Sequence, residues 1–147
     1  MVIDKDTLLK EGERLDVLKR ENIQIIQSPS VFSFSLDAVL LADFADLPRT
    51  RKATIVDFCS GNGAVAFLLT GKTKNPIIGV EVQDQLVDMA RRTVQLNAIE
   101  ERVSFVHADI GPKDSLTARI LLELSCEMQC AMPNLTVKYD PEVTSDD

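Results

Sequence analysis

Apolar positions along the chain change period several times. Residues 1–20 are charged and mostly without period. Ile23, Ile25 and Ile26 begin an apolar run that ends at Ser28-Pro29, and Val31, Phe32 and Phe34 sit among serines like a short extended piece. From Ser35 the spacing is helical: Leu36, Val39, Leu40 and Ala42–Phe44 make an apolar face, Ser35 reads as the N-cap, and Pro48 closes the segment. Thr54–Val56 leads into a buried strand with Asp57 at its exit, and Gly61-Asn62-Gly63 makes the turn. Ala64–Thr70 is a short helix that Gly71 should end. Ile77–Val80 is a second strand with Glu81 at its exit. Asp84 should cap a helix that carries Leu86, Met89, Ala90 and Val94 and ends at Asn97. Val103–Val106 is a third strand, with Asp109 just past its end.

Strand and helix alternate over residues 54–110, which predicts an α/β unit: a parallel sheet with right-handed crossovers. After Ile110 the pattern changes. Asp114 opens a helical spacing of Leu116, Ile120, Leu124 and Met128, and Met132-Pro133-Asn134 breaks it. Leu135, Val137 and Tyr139 then alternate like an edge strand, and residues 140–147 read as a solvated acidic tail. Three parts follow: an N-terminal segment and helix (1–53), the α/β unit (54–110) and a C-terminal stretch (111–147).

Composition narrows the classes. A chain of 147 residues, 45% hydrophobic and 27% charged, suits one globular domain. No apolar run approaches the roughly 18–20 residues that span a bilayer, so no membrane partner is expected. Met1–Gly12 lacks the apolar centre of a secretory signal, and the cytoplasm is the expected compartment. Cys59, Cys126 and Cys130 form no disulfide framework. Cys126 and Cys130 would share a helix face, but His107 is the sole histidine, and no metal site is expected. The net charge is −7, concentrated in residues 120–147, which carry six acids and one base and leave −2 for residues 1–119. A nearly neutral body neither favours nor excludes RNA.

The chemistry concentrates on three acids at successive strand exits: Asp57, Glu81 and Asp109. Ligands of open α/β sheets bind outside the carboxyl ends of the strands. An ionised carboxylate only accepts hydrogen bonds, which suits the ribose hydroxyls and exocyclic amine of a nucleoside. Glu81 is placed for a ribose and Asp109 for an adenine edge. Gly61 and Gly63 permit positive φ and a close approach of backbone to ligand. With Ala66 they also mimic a dinucleotide fingerprint, so an NAD-binding fragment competes. Asp57 opposes that reading, because a carboxylate four residues before Gly61 would face a pyrophosphate. S-adenosylmethionine, with a sulfonium and an ammonium, suits an acid there. Arg91-Arg92, with Asp88 one turn back, reads as a solvated helix face. Phe32 and Phe34 read as lid or core, and His107 takes no catalytic role.

The run from Val56 to Gly63 resembles motif I of class I methyltransferases, a Rossmann-like fold. Gly79–Val82 with Leu86–Ala90 resembles their second-strand unit, and His107–Ile110 the next. The run from Ile25 to Ala42 is similar to the N-terminus of the "methyltransferase small domain" group, that of bacterial tRNA (adenine-N6)-methyltransferases. The resemblance covers about residues 11–110. It implies S-adenosylmethionine as cofactor, with Asp57, Cys59, Ser60, Gly61, Asn62, Gly63, Glu81, Val82, Asp109 and Ile110 around it and Ser35 and Asp37 near its methionine end. A tRNA or other nucleic acid is then the expected substrate. The family continues to a fourth strand and an Asn-Pro-Pro-aromatic loop that holds the target amine. Here Asn-Pro occurs only at Asn75-Pro76, before the second strand, and Met132-Pro133-Asn134-Leu135 is not that motif. The expectation is therefore a methyltransferase unit cut short, with an incomplete sheet, no identifiable catalytic residue and impaired activity. The alternative is a non-catalytic binding or interaction module on the same half-fold. Leu135–Tyr139, the 115–129 helix or a second copy of the chain are candidates to cover the open sheet edge.

Overall fold

A computed structural model describes residues 8–31, 36–50 and 52–109. The first two elements form an antiparallel hairpin, β1 (Arg14–Leu18) and β2 (Ile23–Gln27), in the register Arg14↔Gln27 to Leu18↔Ile23. β1 is a strand that the apparent lack of period concealed. Its alternation is spoiled because Val17 stays exposed while Leu15 is half-buried and Leu18 buried. Asn22, with φ 56°, closes the turn, a conformation that asparagine tolerates.

The edge of β2 away from β1 is satisfied by side chains instead of a third strand. Asn97 accepts from the Gln24 N–H (2.9 Å) and donates to its carbonyl (2.8 Å). Thr93 Oγ1 accepts from the Ile26 N–H at 3.0 Å, and Asn62 Nδ2 donates to the Ile26 carbonyl at 3.3 Å. The hairpin is thereby fixed to the rest of the molecule without a free hydrogen-bonding edge there.

α1 (Leu36–Phe44) follows. Lys72 caps its C-terminus, donating from Nζ to the carbonyls of Ala42 (2.8 Å), Asp43 (2.9 Å) and Ala45 (2.7 Å), where carbonyls lack helical partners and the helix dipole is negative. The expected apolar face is a core face only in part: Val39 packs against the core beside Ala42. Of the helix only Ala42 is buried, while Leu36, Leu40, Leu41 and Phe44 are exposed.

β3 (Ile55–Phe58), α2 (Ala64–Leu69), β4 (Ile77–Glu81), α3 (Asp84–Asn97) and β5 (Val103–His107) form the expected α/β unit. The strands are parallel in the order β3-β4-β5, with Ile55↔Ile77 and Ile77↔Val103 in register. Sequence order running stepwise across the sheet, with a helix in each connection, is half of a doubly wound fold. Among the described residues β3 has one neighbour. Its residues 55–57 are half-buried and Phe58 is exposed, as an uncovered edge requires. Asp57 lies inside β3 and not at its exit. Gln83 is the N-cap of α3, with Asp84 the first helical residue. Thr70, in a right-handed conformation, follows α2, so Gly71 is not its left-handed terminator.

The core gathers Ile25, Phe67, Ile77, Val87, Ala90 and Val103 between sheet, helices and hairpin. Phe67 and Phe105 pack with ring centroids 5.5 Å apart and planes tilted by 52°. Phe105 lies where larger residues at Gly63 or Gly79 would stand: a Cβ there would meet its ring at 2.5 Å and 2.3 Å. Two glycines thus make the slot for one aromatic ring. On the outer face of α3, Arg92 reaches Glu13 at 2.6 Å, Asp88 at 2.8 Å and the Leu8 carbonyl. Lys10 adds a second bridge to Asp88 at 2.7 Å. The expected solvated pair is instead the clamp for the N-terminal segment. Residues 111–147, with their expected helix, edge strand and tail, lie outside the described residues.

Candidate functional site

The turn between β3 and α2 is built for close approach. Cys59, Gly61 and Gly63 hold φ of 56°, 57° and 89°, so left-handed residues alternate along it. Burial alternates as well: Cys59 is exposed, whereas Ser60 and Asn62 are buried. The Gly63 N–H donates back to the Ser60 carbonyl at 2.9 Å, and the Ser60 N–H to the Val80 carbonyl at 3.1 Å, which hangs the turn on β4.

Glu81, only 6% exposed, holds this turn from the next strand. Its Oε2 accepts from the Gly61 N–H and its Oε1 from the Gln83 N–H, both at 2.9 Å. Each carboxylate oxygen keeps a further lone pair. The residue expected to grip a ribose therefore also shapes the glycine turn, a structural duty that strand-exit position alone did not reveal.

Asp57 is in a different state. Its Oδ2 is buried with no hydrogen-bond partner. Burial pushes its carboxyl up to about 6; the backbone N–H of Ala66 pulls the other way, and the nearby Glu81 carboxylate adds to the rise. Ser60 Oγ and Asn62 Oδ1 are buried and unpartnered too. Three orphaned polar atoms thus fall within residues 57–62, where buried polar groups normally find partners.

At the neighbouring exits Phe58 and Val82 stay 40% and 53% exposed, an apolar rim beside the acids. Phe58 and the Gln83 N–H were not singled out in the sequence; the exposed aromatic immediately after Asp57 was the available signal. Asp109 stands exposed two residues past β5, and the Ala108 N–H donates to the Glu81 carbonyl at 3.0 Å, tying that exit to β4. His107 Nε2 donates to the Val82 carbonyl at 2.8 Å, a structural tether. Asp37 is exposed in the first turn of α1, and α1 packs on α2. Ser35, Ile110, Phe32 and Phe34 lie outside the described residues. The fold thus brings Asp57, the 59–63 turn, Glu81, Val82 and Asp109 to one end of one sheet.

Arg91 donates from Nε to the Phe105 carbonyl at 3.1 Å. It also lines a groove of about 590 Å³ between the N-terminal segment and α3, with Lys10, Ser28, Ser30, Asp84 and Asp88. Lys10 and Asp88 pair with each other there. The orphaned atoms lie at the strand ends instead, and those ends are the better candidate. No group of side chains suited to a metal occurs among the described residues.

Comparison with known proteins gives two signals. The model of the family described as "Glycyl radical enzyme YjjI-like" matches residues 77–147, just under half of the chain. The uncharacterized protein YjjI of Escherichia coli K12 is 50% identical over 44 residues, 30% of this chain and 8% of that protein. A tRNA1(Val) (adenine(37)-N6)-methyltransferase of Shewanella amazonensis is 24% identical over 92 residues, 63% of this chain and 39% of that one. In structure, Pyrococcus horikoshii TYW2, solved in complex with MeSAdo, superposes with a TM-score of 0.55 at 19% identity, over 70% of this chain and 39% of that one. The described residues have the Rossmann-like fold of class I methyltransferases. The chain spans less than two fifths of the length of each of these relatives. The family-model match overlaps the last two described strands and runs on through residues 111–147.

Proposed function

We propose that residues 54–110 bind S-adenosylmethionine at the carboxyl ends of β3, β4 and β5, as the cofactor half of a methyltransferase. The observation that carries this reading is the set of orphaned buried atoms, Asp57 Oδ2, Ser60 Oγ and Asn62 Oδ1, on the turn that Glu81 holds. An acceptor set beside an exposed apolar rim suits a ligand with a cationic amine, two ribose hydroxyls and a flat base. Glu81 uses its remaining lone pairs on the ribose, Asp57 faces the ammonium, Asp109 takes the adenine amine, and Val82 and Ile110 cover the base. Cys59 and Gly61–Gly63 lend backbone, and Ser35 and Asp37 close the methionine end. The solved neighbour's MeSAdo and the match to a tRNA adenine-N6 methyltransferase support the cofactor and a nucleic-acid substrate. The cytoplasm is the compartment in which that substrate would be met.

The cofactor would supply a methyl group on a sulfonium. The chain's own residues bind and orient it, and none described here is assigned to the target amine. Methyl transfer needs the nucleophile aligned with that methyl, and positioning supplies much of the rate. Without the Asn-Pro-Pro-aromatic loop, the chain alone is expected to bind cofactor and to transfer little. A second copy of the chain is one way to cover the open edge of β3. Calorimetric titration with S-adenosylmethionine, with NAD as control, tests the site: tighter binding of NAD would refute it.

A further inference from the structure

Cations gather at the end of the sheet opposite the strand exits. The loops that lead into β4 and β5 and the turn between β1 and β2 meet there around a cleft of about 300 Å³. Arg20, Lys74 and Arg102 line it with one acid, Glu21. The groove beside α3 has the reverse balance, with four acids against Lys10 and Arg91. Arg102 is held in place: its Nη2 donates to the carbonyls of Thr70 (3.3 Å) and Thr73 (2.6 Å). Its Nε is buried without a partner, which is rare for a polar group. Arg20 is shared between Glu21 and Asp43, each at 2.8 Å. Lys74 is exposed and has no partner among the described residues. Cations at this end of a parallel sheet also answer helix C-termini, as Lys72 does for α1. That duty leaves Lys74 and the Arg102 Nε unused. Lys19, Arg49 and Lys52 are exposed at the same end, their side chains likewise unpartnered among the described residues. The Asn75 amide ties their neighbour Thr50 to the loop before β4, donating to its carbonyl at 2.8 Å. Asp46, Glu100 and Glu101 are exposed nearby but do not line the cleft.

We propose that this cleft, lined by Arg20, Lys74 and Arg102, binds a phosphate group. Three cations delivered by three separate loops suit the several oxygens and the high charge of phosphate better than the single fork of a carboxylate. Arg102 presents a planar guanidinium already fixed by two carbonyls, and Lys74 adds a mobile ammonium. The site lies at the far end of the strands from Asp57, Glu81 and Asp109, so its ligand does not compete with the proposed cofactor. A phosphodiester of an RNA backbone and a free phosphate ester share this chemistry. The unpartnered Lys19, Arg49 and Lys52 outside the cleft favour the longer polyanion. That choice of source rests on the nucleic-acid reading above; the phosphate site itself does not.

The test titrates the full chain with inorganic phosphate, followed by phosphorus NMR, and then with unmodified bulk tRNA. Lys74→Gln removes an exposed, unpartnered charge at the cleft, and Gln85→Glu makes the same change in net charge beside α3. The expected result is one phosphate site, weakened about fivefold by Lys74→Gln, the upper end for one exposed charge contact, and unchanged in Gln85→Glu. With an RNA source, tRNA displaces phosphate, and Lys74→Gln reduces the salt slope of tRNA binding by about one. Phosphate binding that tRNA does not displace would assign the site to a free phosphate ester. No phosphate binding, or equal losses in the two variants, would overturn the proposal. Saturating phosphate should leave the affinity for S-adenosylmethionine unchanged. A chain that binds phosphate but not S-adenosylmethionine would refute the cofactor reading and leave this site standing.

Discussion

Replacing Asp57 with asparagine should make the protein more stable and a worse binder. The carboxyl is raised from 3.8 to about 6, first by burial and then by the Glu81 charge. A folded-state value above the unfolded one means that ionisation opposes folding. The unliganded protein is favoured below pH 4, and this advantage is lost as pH rises to and past 6. A shift of about two units corresponds to roughly 3 kcal/mol, to order of magnitude. Asparagine keeps the shape and an acceptor for the Ala66 N–H but carries no charge, so at pH 7.5 it should recover much of that sum as a higher Tm. Cofactor binding runs the other way. The ligand's ammonium needs the ionised form, whose fraction falls about tenfold from pH 7 to pH 5 for a carboxyl near 6. Calorimetric titrations across that range should show affinity for S-adenosylmethionine falling about tenfold, levelling above pH 7. In Asp57→Asn the slope should vanish and affinity at pH 7.5 should be lower than in the parent. The ligand's own α-amino and α-carboxyl groups titrate outside this window, near 8 and below 4. A parent affinity independent of pH, or an Asp57→Asn protein that keeps the slope or is less stable at pH 7.5, would refute the reasoning.

Four further outcomes follow from the geometry. Glu81→Ala should weaken cofactor binding far more than Asp88→Ala, because it removes the ribose acceptor and frees the Gly61 and Gln83 N–H groups, at about 1–3 kcal/mol for each polar group left unpaired; parallel titrations decide. Gly63→Ala should lower stability by more than about 2 kcal/mol in urea unfolding, since φ is 89° and the new methyl would stand 2.5 Å from the Phe105 ring. Arg92→Met should cost about 1–3 kcal/mol, because it removes the charged hydrogen bonds of a partly buried Glu13; unchanged thermal unfolding would contradict the clamp. A labelled methyl-transfer assay on unmodified bulk tRNA should give no useful turnover, and turnover that disappears in Asp57→Ala would show that residues 111–147 build a substrate site.

The α/β unit was legible along the chain because each of its parts is a local decision. The apolar runs at 77–80 and 103–106, the 3.6-residue spacing from Leu86 to Val94 and the Gly61-Asn62-Gly63 turn fix element type through burial period and backbone freedom, and their alternation leaves a parallel sheet as the economical packing. Glu81 and Asp109 could be placed at and past the strand ends for the same reason, whereas Asp57 falls one residue inside β3. Everything that depended on distant partners was hidden. Arg92 finds Glu13 79 positions away, so its charge read as a solvated face. β1 showed no period because its pairing with β2, and not its own burial, makes it a strand. The apolar face of α1 is buried only at Ala42 and packs partly at Val39, while Leu36, Leu40, Leu41 and Phe44 stay exposed among the described residues, since exposure is set by what packs against a helix and not by its own composition. The different fates of Asp57 and Glu81 belong to the same category. Asp57 sits inside β3, in register with Gly79, and Glu81 ends β4; the turn offers N–H groups to Glu81 and leaves Asp57 Oδ2 buried without one. Such assignments depend on three-dimensional hydrogen-bond geometry, which residue spacing along a chain does not encode.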